Sequence, residues 1–369
     1  MRSPEADMWS RRLLVPAAGL MLGGALAVPA APAAASPPPR AAACSPSAAL
    51  LGFSDALDKT TLDGTAVSGL SALAVTRPGR ALALVDNIGT TPARVYGLSL
   101  RAGRGGPHAA ARDVTTLKRP DGTPYTGADL DGEGLVAEPG GRTVLVSSET
   151  EPSIRRFDAR TGRQRAELPV PGRFRVAPAG DAARNRTFEA LAATRDGRTL
   201  YAGMEGPLST DASGVNRILR YDRSRGRDYR PAAQYAYETD PGLGLVELVA
   251  LRGGGLLALE RGWTSGVGNT VRIYRTSTHR AQDVSGVASV PAGAPAALAK
   301  ELLVDLADCP PSGATAEQPQ PNPLLDNVEG MALGGRTPHG RHVLYLVSDD
   351  NGSASQITRV YALAVRVRA

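Results

Sequence analysis

The sequence predicts an all-β protein, a β-propeller for which six blades are preferred, with five or seven as alternatives. Three observations carry this. One strand–turn–strand–loop–strand unit recurs along most of the chain. Its strands are apolar runs of 5 to 7 residues bounded by Gly- and Pro-containing turns. No stretch shows the apolar period of an amphipathic helix.

In chain order, residues 1–35 read as a removable export signal. Arg2, Arg11 and Arg12 form a basic start, residues 13–28 are uncharged and mostly apolar, and Ala33, Ala34 and Ala35 give the small residues a signal peptidase accepts. As a helix, residues 13–28 reach only about 24 Å, short of a hydrocarbon core of about 30 Å. Pro16 and Pro29 interrupt or bound the segment. An integral membrane anchor is therefore not expected. Ser10-Arg11-Arg12-Leu13-Leu14 also fits a twin-arginine export motif; it and the ordinary Sec route both stay open. On either route the mature chain starts near Ser36 and is expected to be secreted. A Pro- and Ala-rich segment follows over residues 36–48, and the propeller domain is expected over 49–369.

The formal charge is +6. Nearly all of it is arginine, since Lys59, Lys118 and Lys300 are the lysines. The arginines are scattered rather than clustered, which argues against a nucleic-acid partner. Cys44 and Cys309 are the two cysteines. In an oxidising compartment a single disulfide joining the ends of the domain is expected. Lipid attachment at Cys44 is disfavoured by the proline-rich stretch between it and the apolar segment.

The repeat is clearest twice. Residues 131–137 (DGEGLVA) lead to 143–149 (TVLVSSE) and 154–158, and residues 187–193 (TFEALAA) lead to 199–205 (TLYAGME) and 217–222. Looser copies start near Val67, Leu245 and Asn327. Counted from Ser68, Glu133, Glu189, Glu247 and Glu329, the intervals are 65, 56, 58 and 82 residues. Units of this size without helices are propeller blades. The longest interval is expected to hold a sixth blade or a long insertion between Thr276 and Asp326, and the proline-rich residues 318–323 a surface loop.

The first strand of a blade lies nearest the central channel, so acids repeated there can converge. Glu133, Glu189, Glu247 and Glu329 form one candidate ring; Asp86, Glu149, Glu205, Glu260 and Asp349 form another. Such carboxylates repel unless neutralised. Oxygen ligands without histidine or thiolate suit Ca²⁺ better than Zn²⁺. The competing role is structural, with the same acids accepting hydrogen bonds from neighbouring backbone and arginines.

Several of these strings resemble the phytase-like propeller family known as "esterase-like activity of phytase" proteins. Residues 185–193 (NRTFEALAA), Asp196 to Tyr201, and Met204-Glu205 carry the resemblance. So do Asp326-Asn-Val-Glu329-Gly-Met331, Leu346-Val-Ser-Asp349-Asp350-Asn351 with Gln356, and Asp131-Gly-Glu133-Gly134 with Ser147-Ser-Glu149. The resemblance implies a calcium-dependent hydrolase. Glu133, Glu149, Glu189, Glu205, Glu329, Asp349 and Asp350 would be metal ligands, with Glu133, Glu189 and Glu329 also in catalytic roles and Arg186 and Arg261 holding substrate. The scarcity of lysine departs from the calcium-dependent propeller phytases and argues against phytate itself.

Other chemistry is absent from the sequence. There is no Gly-x-Ser-x-Gly elbow and no phosphate-binding Gly-rich loop with lysine. His339-Gly340-Arg341 reads as a turn, and His108, His279 and His342 show no metal spacing. Three functions compete: a metal-dependent hydrolase of phosphate or carboxylic esters, a non-catalytic extracellular binding propeller, and a lactonase-like propeller. A monomer is expected.

Overall fold

The computed structural model describes residues 42–86, 89–103 and 105–367. The expected export signal lies outside them. No helix among the described residues is long and apolar enough to cross a membrane.

The chain builds five antiparallel blades, four of them four-stranded and the last five-stranded. The first comprises Leu70–Arg77, Gly79–Val85, Arg94–Gly103 and Gly106–Thr116, and the second Gly132–Ala137, Thr143–Ser148, Ser153–Asp158 and Gln164–Glu167. The third comprises Phe188–Ala193, Thr199–Met204, Val215–Asp222 and Arg230–Glu238, and the fourth Gly244–Ala250, Gly255–Thr264, Gly268–Ser277 and Lys300–Asp305. The fifth is composite. Val328–Arg336, His342–Ser348 and Val360–Val365 come from the C-terminal end, and the two outer strands, Ala48–Ser54 and the short edge strand Ala42–Ala43, come from the N-terminal end. Pairing the two ends in one sheet closes the ring.

The preferred count of six is thus corrected to five. The long interval before Glu329 is an insertion: a loop over residues 278–299, the outer strand of blade four, a short 3-10 turn Leu306–Asp308, and a second loop up to the last blade. Its apolar residues cover the flanks of existing blades. Val284 and Val290 pack on Val215 and Ala236 of blade three, which is why the interval carries hydrophobic signal without adding a blade.

The core lies between blades. One cluster joins blades one and two through Leu84, Val95, Leu135 and Val146. Others join two to three, three to four, four to five, and five to one. Strands are covered on both sides, so they read as continuous apolar runs rather than alternating ones. The innermost strands need small residues. A Cβ at Gly134 would lie 2.5 Å from Leu191 Cβ, and one at Gly330 3.1 Å from the Ala72 backbone.

Two devices fasten the closure. The Cys44–Cys309 disulfide is present and spans 265 residues. Arg359, fully buried, donates to both Asp55 oxygens at 2.7 and 2.9 Å and to the carbonyls of Thr315, Pro323 and Leu324. It thereby ties the chain leaving the N-terminal strand to the loop before blade five.

Candidate metal centre and channel mouth

Each blade breaks the register between its two innermost strands near the start of the first, between Leu70 and Ala72, Gly132 and Leu135, Phe188 and Ala190, Leu245 and Glu247, and Val328 and Gly330. A bulge of this kind re-aims a side chain. The residues it sets apart are Ser71, Glu133 with Gly134, Glu189, Val246 and Glu329. Just beyond, the backbone N–H groups of Asp86, Glu149, Glu205 and Asp349 donate to the carbonyls of Gly69, Asp131, Thr187 and Asn327. The matching place in blade four, opposite Gly244, is held by Arg261.

Glu247 and Glu260, expected in the two rings, are each one residue out of step. Glu247 stays in the ladder opposite Leu259. Its Oε1 accepts from the N–H groups of Leu248 and Leu191 at 2.8 and 3.3 Å. Glu260 accepts from the Tyr237 hydroxyl at 2.7 Å, the Asp240 N–H at 2.8 Å and Lys300 Nζ at 2.6 Å. Both acids are structural, and a valine and an arginine take the ring positions in their blade.

Asp86, Glu133, Glu149, Glu189, Glu205 and Glu329 line one cavity of about 400 Å³, within the roughly 300–1,000 Å³ of small-molecule sites. Among the described residues lining it, Arg261 is the one cation. Carboxylate oxygens of Asp86, Asp131 and Glu133 lie within 4.8 Å of one another, and so do those of Glu133, Glu149 and Glu189. Glu133 is the shared vertex. Asp131 is a member that ring-by-ring reading of the sequence missed, although the Asp131-Gly-Glu133 spacing, two residues apart on a strand, was a usable signal.

The electrostatics follow from burial. Glu133 and Glu189 are pushed well above the ordinary carboxylate range, first by desolvation and then by neighbouring carboxylates. Glu149 is pushed up to about 8 by desolvation and Glu205, against a hydrogen bond from the Thr187 N–H. Burial also raises Glu329, opposed by Arg261, whose Nη2 lies 2.8 Å from Oε1, and by Asn327 Nδ2 at 3.0 Å. Asp349 lies beside Glu329 and is pushed well up by burial and by the charges of Glu329 and Asp86. Its Oδ2 is buried without a hydrogen-bond partner.

The remaining expected site residues fall elsewhere. Asp350 is buried away from the cavity lining. It accepts from Lys59 Nζ at 2.8 Å, Ser68 Oγ at 2.5 Å and the Gly69 N–H at 2.9 Å, fastening blade five to the start of blade one. Arg186 stands half exposed at the rim, Nε 3.6 Å from Glu205 Oε2. Trp263, Asn269 and Gln318, none singled out from sequence, also line the cavity.

The donor set therefore fits a hard divalent cation. It is all oxygen, it is buried, its carboxylates converge on Glu133, and Asp349 leaves an orphaned oxygen close by.

Fold and site together define a five-bladed propeller with a carboxylate-lined channel. The chain belongs to the phytase-like family described as "esterase-like activity of phytase", whose family model matches residues 65–352. No curated protein matches it. Among solved structures it is similar to a putative 6-phosphogluconolactonase from Bacteroides uniformis, at 14% identity and TM-score 0.39 over 79% of this chain and 81% of that one. The periplasmic gluconolactonase of Pseudomonas aeruginosa gives 12% identity and TM-score 0.36 over 89% and 95%. The PQQ-bound aldose sugar dehydrogenase of Streptomyces coelicolor gives 13% and 0.39 over 88% and 100%.

Proposed function

We propose that the protein is an exported, metal-assisted hydrolase of small-molecule esters, working in the carboxylate-lined cavity, with Ca²⁺ the first cation to try. The observation that carries this reading is the convergence of two carboxylate triads, buried but for a half-buried Asp86, on Glu133 with one arginine to offset them. Family membership supports it. The disulfide supports an oxidising compartment outside the cytoplasm.

Glu133, Glu149 and Glu189, with Asp86 and Asp131, would hold the cation, which when bound supplies Lewis-acid stabilisation of charge developing on the ester oxygen. The chain's own groups do the rest. Glu329 is oriented by Arg261 and Asn327 and, being raised by burial, is a better proton acceptor than a surface carboxylate. It takes the proton of attacking water. Arg261 Nε has no partner and offers a donor toward the acyl or phosphoryl oxygen. A neutral carboxylic ester meets less repulsion from six carboxylates than a phosphate ester does, so acyl esters are the favoured class.

The test is hydrolysis of a panel of acyl and phosphate esters by chelator-treated protein, before and after Ca²⁺, Mg²⁺ or Mn²⁺ is restored, alongside Glu133→Gln and Glu329→Gln. Turnover that needs a cation and is lost in both variants is expected. Absence of turnover across panel and cations would leave a binding propeller, with the acids of the channel in the structural role that Glu247 and Glu260 already show.

A further inference from the structure

The cavity carries a second kind of chemistry beside its carboxylates. In four blades the second strand ends at Val85, Ser148, Met204 or Ser348, one residue before the ring position. In blade four it runs on past Arg261 to Thr264 and pairs with Gly268–Ser277. Trp263 stands directly opposite Asn269 in that ladder. Opposed residues share a face, and so does Arg261 two positions back. All three line the cavity.

The hairpin is held from behind. Gln320 Oε1 in the proline-rich loop accepts from the Asn269 N–H at 2.8 Å. Gly268 sits at φ +106°, and a Cβ there would lie 2.5 Å from the Pro319 carbonyl oxygen. Trp263 is 55% exposed, while Asn269 is 1% exposed. Neither Nδ2 nor Oδ1 of Asn269 has a hydrogen-bond partner. A buried amide with both ends unsatisfied is unfavourable, and a ligand bringing one donor and one acceptor would relieve it. Asn185, Asn351, Gln318 and Gln356 add further amides or their backbone to the same wall.

We propose that this hairpin is a recognition subsite for a neutral polyhydroxylated ring, a sugar or polyol, lying on the face of Trp263 with adjacent hydroxyls on the Asn269 amide. A hydroxyl both donates and accepts, which matches the two ends of the amide. The indole supplies an apolar face for the ring's C–H groups. A polyanion meets six carboxylates, and a purely apolar ligand leaves Asn269 unsatisfied. The inference deepens the hydrolase reading by naming its substrate class, and its test uses no turnover.

The chain has two tryptophans, Trp9 and Trp263. In the full chain carrying Trp9→Phe, Trp263 is the sole indole and reports directly from the cavity. Methyl α-D-glucopyranoside, methyl β-D-galactopyranoside and myo-inositol are titrated against its emission, with and without Ca²⁺. Adenosine and inositol hexakisphosphate serve as the aromatic and polyanionic comparisons. A saturable change with at least one neutral ring is expected. Calorimetry should show binding about tenfold weaker in Asn269→Ala, lost in Trp263→Ala and kept in Trp263→Phe, with circular dichroism confirming folded variants. Glu133→Gln should keep sugar binding even if turnover vanishes, which separates this proposal from the hydrolase reading. Saturation by adenosine or hexakisphosphate alone, by none of the probes, or unchanged binding in Asn269→Ala would overturn it.

Discussion

Replacing Glu133 by glutamine should stabilise the metal-free protein and remove most of its stabilisation by Ca²⁺. Two carboxylates at the 4.8 Å limit that bounds both triads repel by about 3.5 kcal/mol at an effective dielectric near 20. Glu133 belongs to both triads. Proton uptake offsets part of this repulsion, because burial raises Glu133, Glu189 and Glu149, the last to about 8. The net gain from Glu133→Gln at pH 8 in chelator is therefore about 2–4 kcal/mol, or roughly 3–6 °C in Tm for a domain of this size. The pH dependence has a definite sign. A carboxyl raised on folding contributes stability that is fully present below its unfolded value, near 4.5, and is lost as pH rises through the folded one. Metal-free wild type should thus weaken between pH 5 and 8, and Glu133→Gln should weaken less. Calorimetric melting at pH 5 and pH 8, each in chelator and in Ca²⁺, reads all four numbers. A variant that melts lower than wild type in chelator at pH 8 and keeps the full Ca²⁺ shift would refute the reasoning and make Glu133 a structural acid.

Three further outcomes are expected. Arg359→Met removes five hydrogen bonds from a fully buried guanidinium and leaves Asp55 and three carbonyls without them, so urea unfolding should show a loss of about 3–5 kcal/mol; a change under about 1 kcal/mol would mean that the ring closes without this tie. The Cys44→Ser/Cys309→Ser pair opens a loop spanning 265 residues, and the chain-entropy model gives a loss of about 5–6 kcal/mol, checked by the unfolding midpoint of the double variant against oxidised wild type. Glu247→Gln keeps a carbonyl acceptor for the Leu191 and Leu248 N–H groups and should alter stability by less than about 1.5 kcal/mol with the Ca²⁺ response intact; loss of that response would return Glu247 to the metal site.

The fold was legible because blade strands carry their own signal. Runs such as 143–148 and 199–204 are buried on both faces, so hydrophobicity and Gly-containing turns mark them without any knowledge of neighbours. The blade count was not. Apolar residues of the 278–299 insertion, such as Val284 and Val290, are buried against blade three, and burial on a flank looks the same in sequence as burial in a strand. Six of the seven acids expected as ligands do come together at the cavity or directly beside it. Asp350 does not, because Lys59, nearly three hundred residues away in sequence, supplies its partner.

The sequence by itself determined the propeller class, the pairing of its two cysteines and the recurrence of acids near the start of each blade, since these depend on local composition and on a period repeated along the chain. Only the tertiary structure decided which acids meet. A bulge shifts a strand by one residue, and a shift of one turns a side chain to the other face. In blade four that single step puts Val246 and Arg261 where Glu247 and Glu260 were expected, and carries Trp263 and Asn269 over the channel. Register is set by packing between blades, so no run of residues read alone contains it.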